Sequence, residues 1–385
     1  MTDAAVKSRP RLHGVDALRG LAASAVVVHH VVGINGLEVP RSLHAIPDYF
    51  GYAVPLFFVI STFSLCYTYD GRFDGTVAVR NYLIRRFMRI APLFYCMLAV
   101  WVLTDLVKFH QPVSIASLLA NLTLTFNLVG PYQYSIVWAG WSIGVEFVDY
   151  FVFPIMLSAV RGLRASVALL LFALLAAYGF QNTSPAQDDA VHILTHLPFF
   201  SMGYVAYYVY RKAQPLGPRW RQVLGVGALA AAFVFIVAVT ADCQFSRFLM
   251  NSPLRRTQFY CLGAGLATLV LAQALLPTLS NVATRFLGET CYSIYLLHPW
   301  MIMMLKPAYA ALAHVFPNML VYVSVATILT FAVLLPLAWL TNRFIEKPAM
   351  AWGRRMTQRS NPHPAAPIPV AVNPQLATAI DAVNK

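Results

Sequence analysis

Arg19 and His30 lie within one apolar stretch, "LRGLAASAVVVHHV", where ionisable side chains are costly and usually functional. On an α-helix their separation corresponds to about 20° from whole turns and to a rise of about 16 Å, so the two side chains share one face. His29 is rotated from His30 by about 100°, and we interpret it as a packing residue. Asp16 lies near the same stripe, where it can pair with Arg19. The alignment favours His30 as the reactive histidine.

Glu146 and His298 are two further ionisable residues in apolar sequence, within "WSIGVEF" and "YSIYLLHPW". Glu146 lies roughly 12 Å and His298 roughly 18 Å into their helices, which places both with His30 in the outer half of a membrane core about 30 Å thick. A carboxylate beside an imidazole fixes its tautomer and supports its protonated form, so we expect Glu146 to orient His30. The alternatives are an interhelical hydrogen bond for Glu146 and packing beside the Pro299 kink for His298.

A basic segment, "RNYLIRRFMRIAPLF", places Arg86 and Arg89 on one helix face at a predicted inner membrane edge. A guanidinium group matches the oxygens of a phosphate, so the pair predicts an anion-binding site. Ordinary anchoring of a cytoplasmic loop by basic residues explains the two arginines equally well.

The composition indicates a membrane protein: of 385 residues, 59% are hydrophobic and only 11% are charged, against roughly 25% charged residues in soluble domains. Charge-free stretches approaching the roughly 20 residues of a membrane span recur along the sequence. We therefore predict an all-α, polytopic integral membrane protein with about ten transmembrane helices. The predicted spans are residues 15–35, 52–70, 87–108, 138–160, 165–180, 191–210, 222–241, 257–276, 286–306 and 318–340. Residues 109–137 are apolar but short, which suits an interfacial or re-entrant segment better than a span.

The distribution of basic residues predicts the orientation. With both termini on one side, 22 of the 28 Lys and Arg residues fall on that side, which predicts cytoplasmic termini in a cell inner (plasma) membrane. The net charge of +13 is thereby explained without a nucleic-acid partner. We expect residues 1–14 to be a cytoplasmic N-terminus, 15–345 the transmembrane domain and 346–385 a cytoplasmic, disordered tail. The five cysteines show neither disulfide nor zinc-site spacing, and no metal site is predicted.

Several motifs occur in an order that resembles the acyltransferase 3 family of integral membrane proteins. "ALRG" with Arg19 and His30 matches the family's first motif, and "LFFVISTF" matches the second, with Thr62 where glycine is usual. The remaining motifs are Arg86 and Arg89 before Pro92, "WSIGVE" (residues 141–146) followed by Tyr150 and Pro154, "YSIYLLHP", and "RFIEKP". The sequence departs from the family at Phe147, Val148 and Asp149, where Glu-Gln-Phe is common. We expect no SGNH-type hydrolase domain after the tenth span.

The resemblance implies an enzyme that moves an acyl group, usually acetyl, from cytoplasmic acyl-CoA to a hydroxyl of an extracytoplasmic or lipid-linked carbohydrate. It implies catalytic roles for His30, Glu146 and Arg19, and donor binding by Arg19, Arg86 and Arg89. The residues implied to contact the acceptor or support the site are Asp16, Ser61, Trp141, Ser142, Tyr150, Tyr295 and His298. Acyl-CoA would be a co-substrate, with no permanently bound cofactor. His30 would deprotonate the acceptor hydroxyl or itself accept the acyl group.

Two other classes of protein remain as alternatives. In a proton-coupled transporter, His30, Glu146 and His298 would form a proton relay; the sequence shows no inverted repeat of the kind such transporters often have. A purely structural scaffold leaves these intramembrane residues unexplained. The acceptor stays open between a lipopolysaccharide, an exopolysaccharide, peptidoglycan and a small glycosylated metabolite, and the oligomeric state stays open as well.

Overall fold

The computed structural model describes residues 9–183, 190–241, 243–252 and 256–359, and within these ranges the protein is helical with no β-strand. The α-helices are α1 His13–Ile34, α2 Ala45–Tyr49, α3 Ala53–Tyr69, α4 Gly75–Val107, α5 Ile115–Leu122, α6 Trp141–Ala159, α7 Leu163–Thr183, α8 Ile193–Ala213, α9 Pro218–Thr240, α10 Gln244–Met250, α11 Thr257–Leu275, α12 Val282–Met304, α13 Lys306–Val315, α14 Met319–Thr341 and α15 Lys347–Arg359.

The long helices confirm an all-α membrane protein. Eight helical segments of the described residues are long and apolar enough to cross a membrane. Helices α8 and α12 are also long and coincide with predicted spans, but they are less apolar because they bury polar groups against other helices, including His196 on α8 and Ser293 and His298 on α12. The count of ten spans therefore stays a prediction.

The connection between α4 and α6 has no helix that could span a membrane. Its only α-helix, α5, has eight residues and is about 12 Å long. Two short 3₁₀ turns, Phe126–Leu128 and Gly130–Tyr132, follow it. The segment nevertheless buries Leu124, Phe126 and Val137, so it packs onto the helical bundle.

The last described residues differ from the expected disordered tail. A π-helical turn, Asn342–Glu346, leads from α14 into α15. Helix α15 packs on α4: a Cβ on Gly353 would lie 2.9 Å from Cβ of Met88, and Arg85 donates to the Thr357 hydroxyl at 3.0 Å. Van der Waals contact with α4 orders residues that look unstructured from composition alone. Residues 360–385 lie outside the described ranges.

Helices α1 and α12 pack with their backbones in direct contact. A Cβ added to Gly288 would lie 2.3 Å from the carbonyl oxygen of Asp16, and one added to Gly20 would lie 2.6 Å from the Gly288 nitrogen. The two helices run in the same direction, so that His30 and His298 reach the same end of the pair. We call the end at which α1 begins the terminal end and the opposite one the far end.

Replacing Gly288 by Ala should force α1 and α12 apart, because the added methyl group meets backbone that cannot rotate away. We expect a loss of about 1–3 kcal/mol, the usual cost of overpacking, measured as a lower Tm of the detergent-purified protein. Gly33→Ala is the matched control, because a Cβ at Gly33 of α1 meets nothing within 4 Å. Equal melting temperatures for the two variants would contradict this account of the packing.

Candidate active site

His30 forms a hydrogen-bonded pair with His298 at the far end of α1 and α12. Nδ1 of His30 lies 2.7 Å from Nε2 of His298, and the two rings are stacked with centroids 5.0 Å apart. Nδ1 of His298 lies 2.6 Å from the carbonyl oxygen of Tyr295 on the same helix. His298 is fully buried, whereas His30 is half-buried.

The carbonyl of Tyr295 fixes the tautomer of both rings when the pair is neutral. A carbonyl oxygen only accepts, so Nδ1 of His298 carries the proton and donates it. Nε2 of His298 is then an acceptor, and Nδ1 of His30 must donate to it. Nε2 of His30 is left with a free lone pair and has no hydrogen-bond partner among the described residues. This is the state that a general base requires.

His29 is turned toward a different neighbour. Its Nδ1 lies 3.2 Å from the carbonyl oxygen of Ile46 on α2, whereas its neighbour in sequence, His30, contacts α12. Although their ring centroids are only 5.1 Å apart, the two histidines have different hydrogen-bond partners, and only His30 pairs with His298.

Glu146 contacts other residues than expected. Its Oε1 accepts hydrogen bonds from the Ser61 hydroxyl at 2.6 Å and from the Tyr150 hydroxyl at 2.5 Å, and neither bond involves His30. The residue that orients His30 in the structure is His298. The physical reason is that α12 packs directly on α1 and covers the imidazole, while Glu146 of α6 faces α3.

A cavity of about 650 Å³ gathers most of the predicted site residues. Those that line it are Asp16, Arg19, Ser61, Arg86, Arg89, Ser142, Glu146, Tyr150 and Tyr295. His30, His298 and Trp141 lie outside its lining, and Trp141 packs against His196 and Phe58. Asp149, which departs from the family pattern, is buried and is not part of the lining either.

Tyr295 connects the cavity to the histidine pair. Its hydroxyl is 2.7 Å from the Ser142 hydroxyl, and both residues line the cavity. Its backbone carbonyl accepts the hydrogen bond of His298. One end of the cavity therefore adjoins the pair.

The other end of the cavity is strongly basic. The cavity as a whole is lined by six Lys or Arg side chains and three acidic side chains. Arg19 is paired with Asp16 at 2.7 Å and donates to Ser64 at the same distance, which matches the pairing expected from their spacing. Arg11 shares Asp16 with Arg19 and also reaches Glu289. These contacts occupy two of the three carboxylates.

Arg86 and Arg89 form no salt bridge among the described residues, although the buried carboxylate of Glu346 is close enough to Arg89 to attract it electrostatically. The Arg86 guanidinium lies over the rings of Tyr69, Tyr82 and Tyr150 at 5.5–5.8 Å from their centroids, and its buried Nε has no hydrogen-bond partner. Arg89 lines the cavity. Two guanidinium groups that form no salt bridge in a concave site are suited to bind an anionic ligand.

The sequence reasoning missed several residues at this site. Arg9, Arg11 and Lys347 line the basic end of the cavity, but in the sequence they look like ordinary basic flanks of membrane helices. Trp138, whose ring centroid is 5.1 Å from that of His30, lies just before the "WSIGVE" motif. Because Trp138 lies in an irregular connection, no helical periodicity in the sequence indicates that it faces His30.

Comparison with known proteins shows that the model of an acyltransferase domain matches residues 12–339. The chain belongs to the acyltransferase family. This acyltransferase is also similar to ORF330 of Acidianus two-tailed virus, whose name assigns it provisionally as an acetyltransferase. The two are 27% identical over 289 residues, which cover 73% of this protein and 80% of the viral one. No solved structure matches the sequence.

The matched range of this acyltransferase contains the cavity walls on α1, α3, α4 and α6 and the His30–His298 pair. Its basic lining residues are Arg19, Arg86 and Arg89. Helix α15, with Lys347 and Met350 at the rim of the cavity, lies beyond it. The matched range thus contains three of the six basic residues that line the cavity, and Arg9, Arg11 and Lys347 lie outside it.

Proposed function

We propose that the protein is an inner-membrane O-acyltransferase. It transfers an acyl group, acetyl in the simplest case, from cytoplasmic acyl-CoA to a hydroxyl of an extracytoplasmic or lipid-linked carbohydrate. The observation that carries this proposal is one cavity whose basic end holds two arginines that form no salt bridge, Arg86 and Arg89, and whose other end adjoins a histidine with a free Nε2. The first feature suits an anionic donor, and the second suits activation of a hydroxyl.

The donor enters from the terminal end, and the excess of Lys and Arg there supports a cytoplasmic position for this end. CoA carries a pyrophosphate and a 3′-phosphate. Arg86 and Arg89 bind these groups, and Arg19, which lines the same cavity, assists them. From Arg19 to His30 the rise along α1 is about 16 Å. The pantetheine arm spans this distance through the cavity and brings the thioester toward Tyr295 and Ser142, next to the histidine pair.

The chemical step uses His30 as general base. Its Nε2 takes the proton of the acceptor hydroxyl as the oxygen forms a bond to the thioester carbonyl carbon. The carbon–sulfur bond then breaks, and the proton passes from His30 to the departing CoA thiolate. His298 keeps its hydrogen bond to Nδ1 throughout, so the imidazole stays in the reactive orientation. Glu146 acts indirectly: it accepts the hydrogen bond of the Tyr150 hydroxyl and so positions the ring over which the Arg86 guanidinium lies.

Purified protein should release CoA from acetyl-CoA and transfer labelled acetyl to glycans isolated from cells that lack the gene. His30→Ala should abolish transfer at normal protein levels because it removes the proposed base, whereas His29→Ala should keep most of it. Thiol release and radiolabel on the glycan are the two readouts. Proton flux without CoA release would instead support a transporter, and full activity of His30→Ala would remove the proposed base.

Arg89→Ala should raise the KM for acyl-CoA by about ten- to a hundredfold, the equivalent of losing one hydrogen bond to a charged group. The KM for the acceptor should change little. Arg85→Ala is the matched control, since Arg85 is on the same helix but is exposed and bonded to Thr357 of α15. Steady-state kinetics with each substrate varied in turn make the measurement. An unchanged donor KM in Arg89→Ala would contradict donor binding and leave Arg89 as a basic residue that only anchors the helix at the membrane edge.

A further inference from the structure

We propose that Trp138 forms the acceptor subsite, a flat platform on which the apolar face of an uncharged pyranose ring lies while one of its hydroxyls reaches His30. This inference rests on the proposed function, because it identifies where the carbohydrate binds. No part of it follows from the family motifs, which begin at Trp141 in this region of the sequence.

The position of Trp138 is the first observation. Its ring centroid is 5.1 Å from that of His30, with the ring planes inclined at 56°. The residue is 46% exposed, although an indole usually buries most of its large apolar surface. The indole therefore packs beside the imidazole whose Nε2 is free while almost half of its own surface stays accessible.

The connection that carries Trp138 is held in one conformation. Oδ1 of Asn121 accepts from the Ser135 hydroxyl at 2.6 Å and from the Ile136 amide at 3.2 Å. Ser135 has a φ of 64°, a left-handed conformation that is costly for a residue other than glycine. Two residues after the tryptophan, position 140 has room only for glycine, because a Cβ there would lie 2.6 Å from the Ser135 hydroxyl. Such strain and fixation are typical of binding sites that are organised before the ligand arrives.

The chemistry around the platform selects an uncharged ligand. Residues 128–141 contain no Lys, Arg, Asp or Glu, yet they contain two tyrosines, two tryptophans, a glutamine and a serine. A pyranose combines an apolar C–H face with a rim of hydroxyl groups, which matches a flat indole surrounded by neutral polar groups. An acceptor bound through a phosphate or carboxylate finds no cation in this segment.

An indole this exposed could also be a membrane-interface anchor. The control variant must therefore remove an equally exposed tryptophan that does not contact His30. Trp339 on α14 is 49% exposed, almost the same fraction, but it is absent from the ring contacts of His30 among the described residues. Substituting each tryptophan removes a similar apolar surface from the membrane region. Only the substitution at Trp138 removes surface beside the proposed base.

The test uses the full-length protein in lipid nanodiscs with acetyl-CoA, and methyl β-glucopyranoside and acyclic glucitol as acceptor probes. Wild-type protein should acetylate the pyranoside in preference to glucitol. Trp138→Ala should raise the KM for the pyranoside about tenfold and remove this preference, with donor KM little altered. Trp138→Phe, which keeps a flat ring, should restore most of the preference. Trp339→Ala should match the wild type.

Two results would overturn the subsite. The first is a wild-type pyranoside KM in a folded Trp138→Ala variant, with folding confirmed by its Tm. The second is a wild-type protein that turns over acetyl-CoA but does not prefer the pyranoside or does not acetylate it. Failure of the proposed function itself has a different signature, namely no CoA release by the wild type with any acceptor.

Discussion

The contact between α1 and α12 is the constraint on which the site depends. Gly20 and Gly288 let the two backbones touch, and this proximity brings His30 within 2.7 Å of His298. His298 donates from Nδ1 to the carbonyl of Tyr295. In the neutral pair, His30 must therefore donate from its own Nδ1 to Nε2 of His298. A backbone carbonyl on one helix thereby determines which nitrogen of an imidazole on another helix can accept a proton.

The rest of the cavity is arranged around this fixed point. Tyr295 belongs both to the histidine series and, through its hydroxyl and Ser142, to the wall of the cavity. At the opposite end, Arg86 is held by aromatic rings instead of by a carboxylate, so its charge stays available to a ligand. Separating the basic end from the histidine end makes the cavity suitable for the elongated donor that we propose, which is charged at one end and reactive at the other.

Much of this arrangement could be predicted from the sequence, and the exceptions have physical reasons. Helical periodicity placed Arg19 and His30 on one face, and Asp16 pairs with Arg19 in the structure as their spacing suggested. Periodicity within one helix says nothing about which neighbouring helix covers that face. The sequence therefore predicts Glu146 as the partner of His30. In the structure the glycine contacts between α1 and α12 bring His298 to this position instead.

The nitrogen protonation of His30 and His298 tests the central claim most directly. In ¹⁵N-histidine NMR spectra of the protein in nanodiscs, assigned with the variants His30→Gln and His298→Gln, both neutral rings should carry their proton on Nδ1. Nε2 of His298 should show the signature of a hydrogen-bond acceptor, and Nε2 of His30 should respond to added acceptor. A His30 ring protonated on Nε2, with no coupling to His298, would contradict the account.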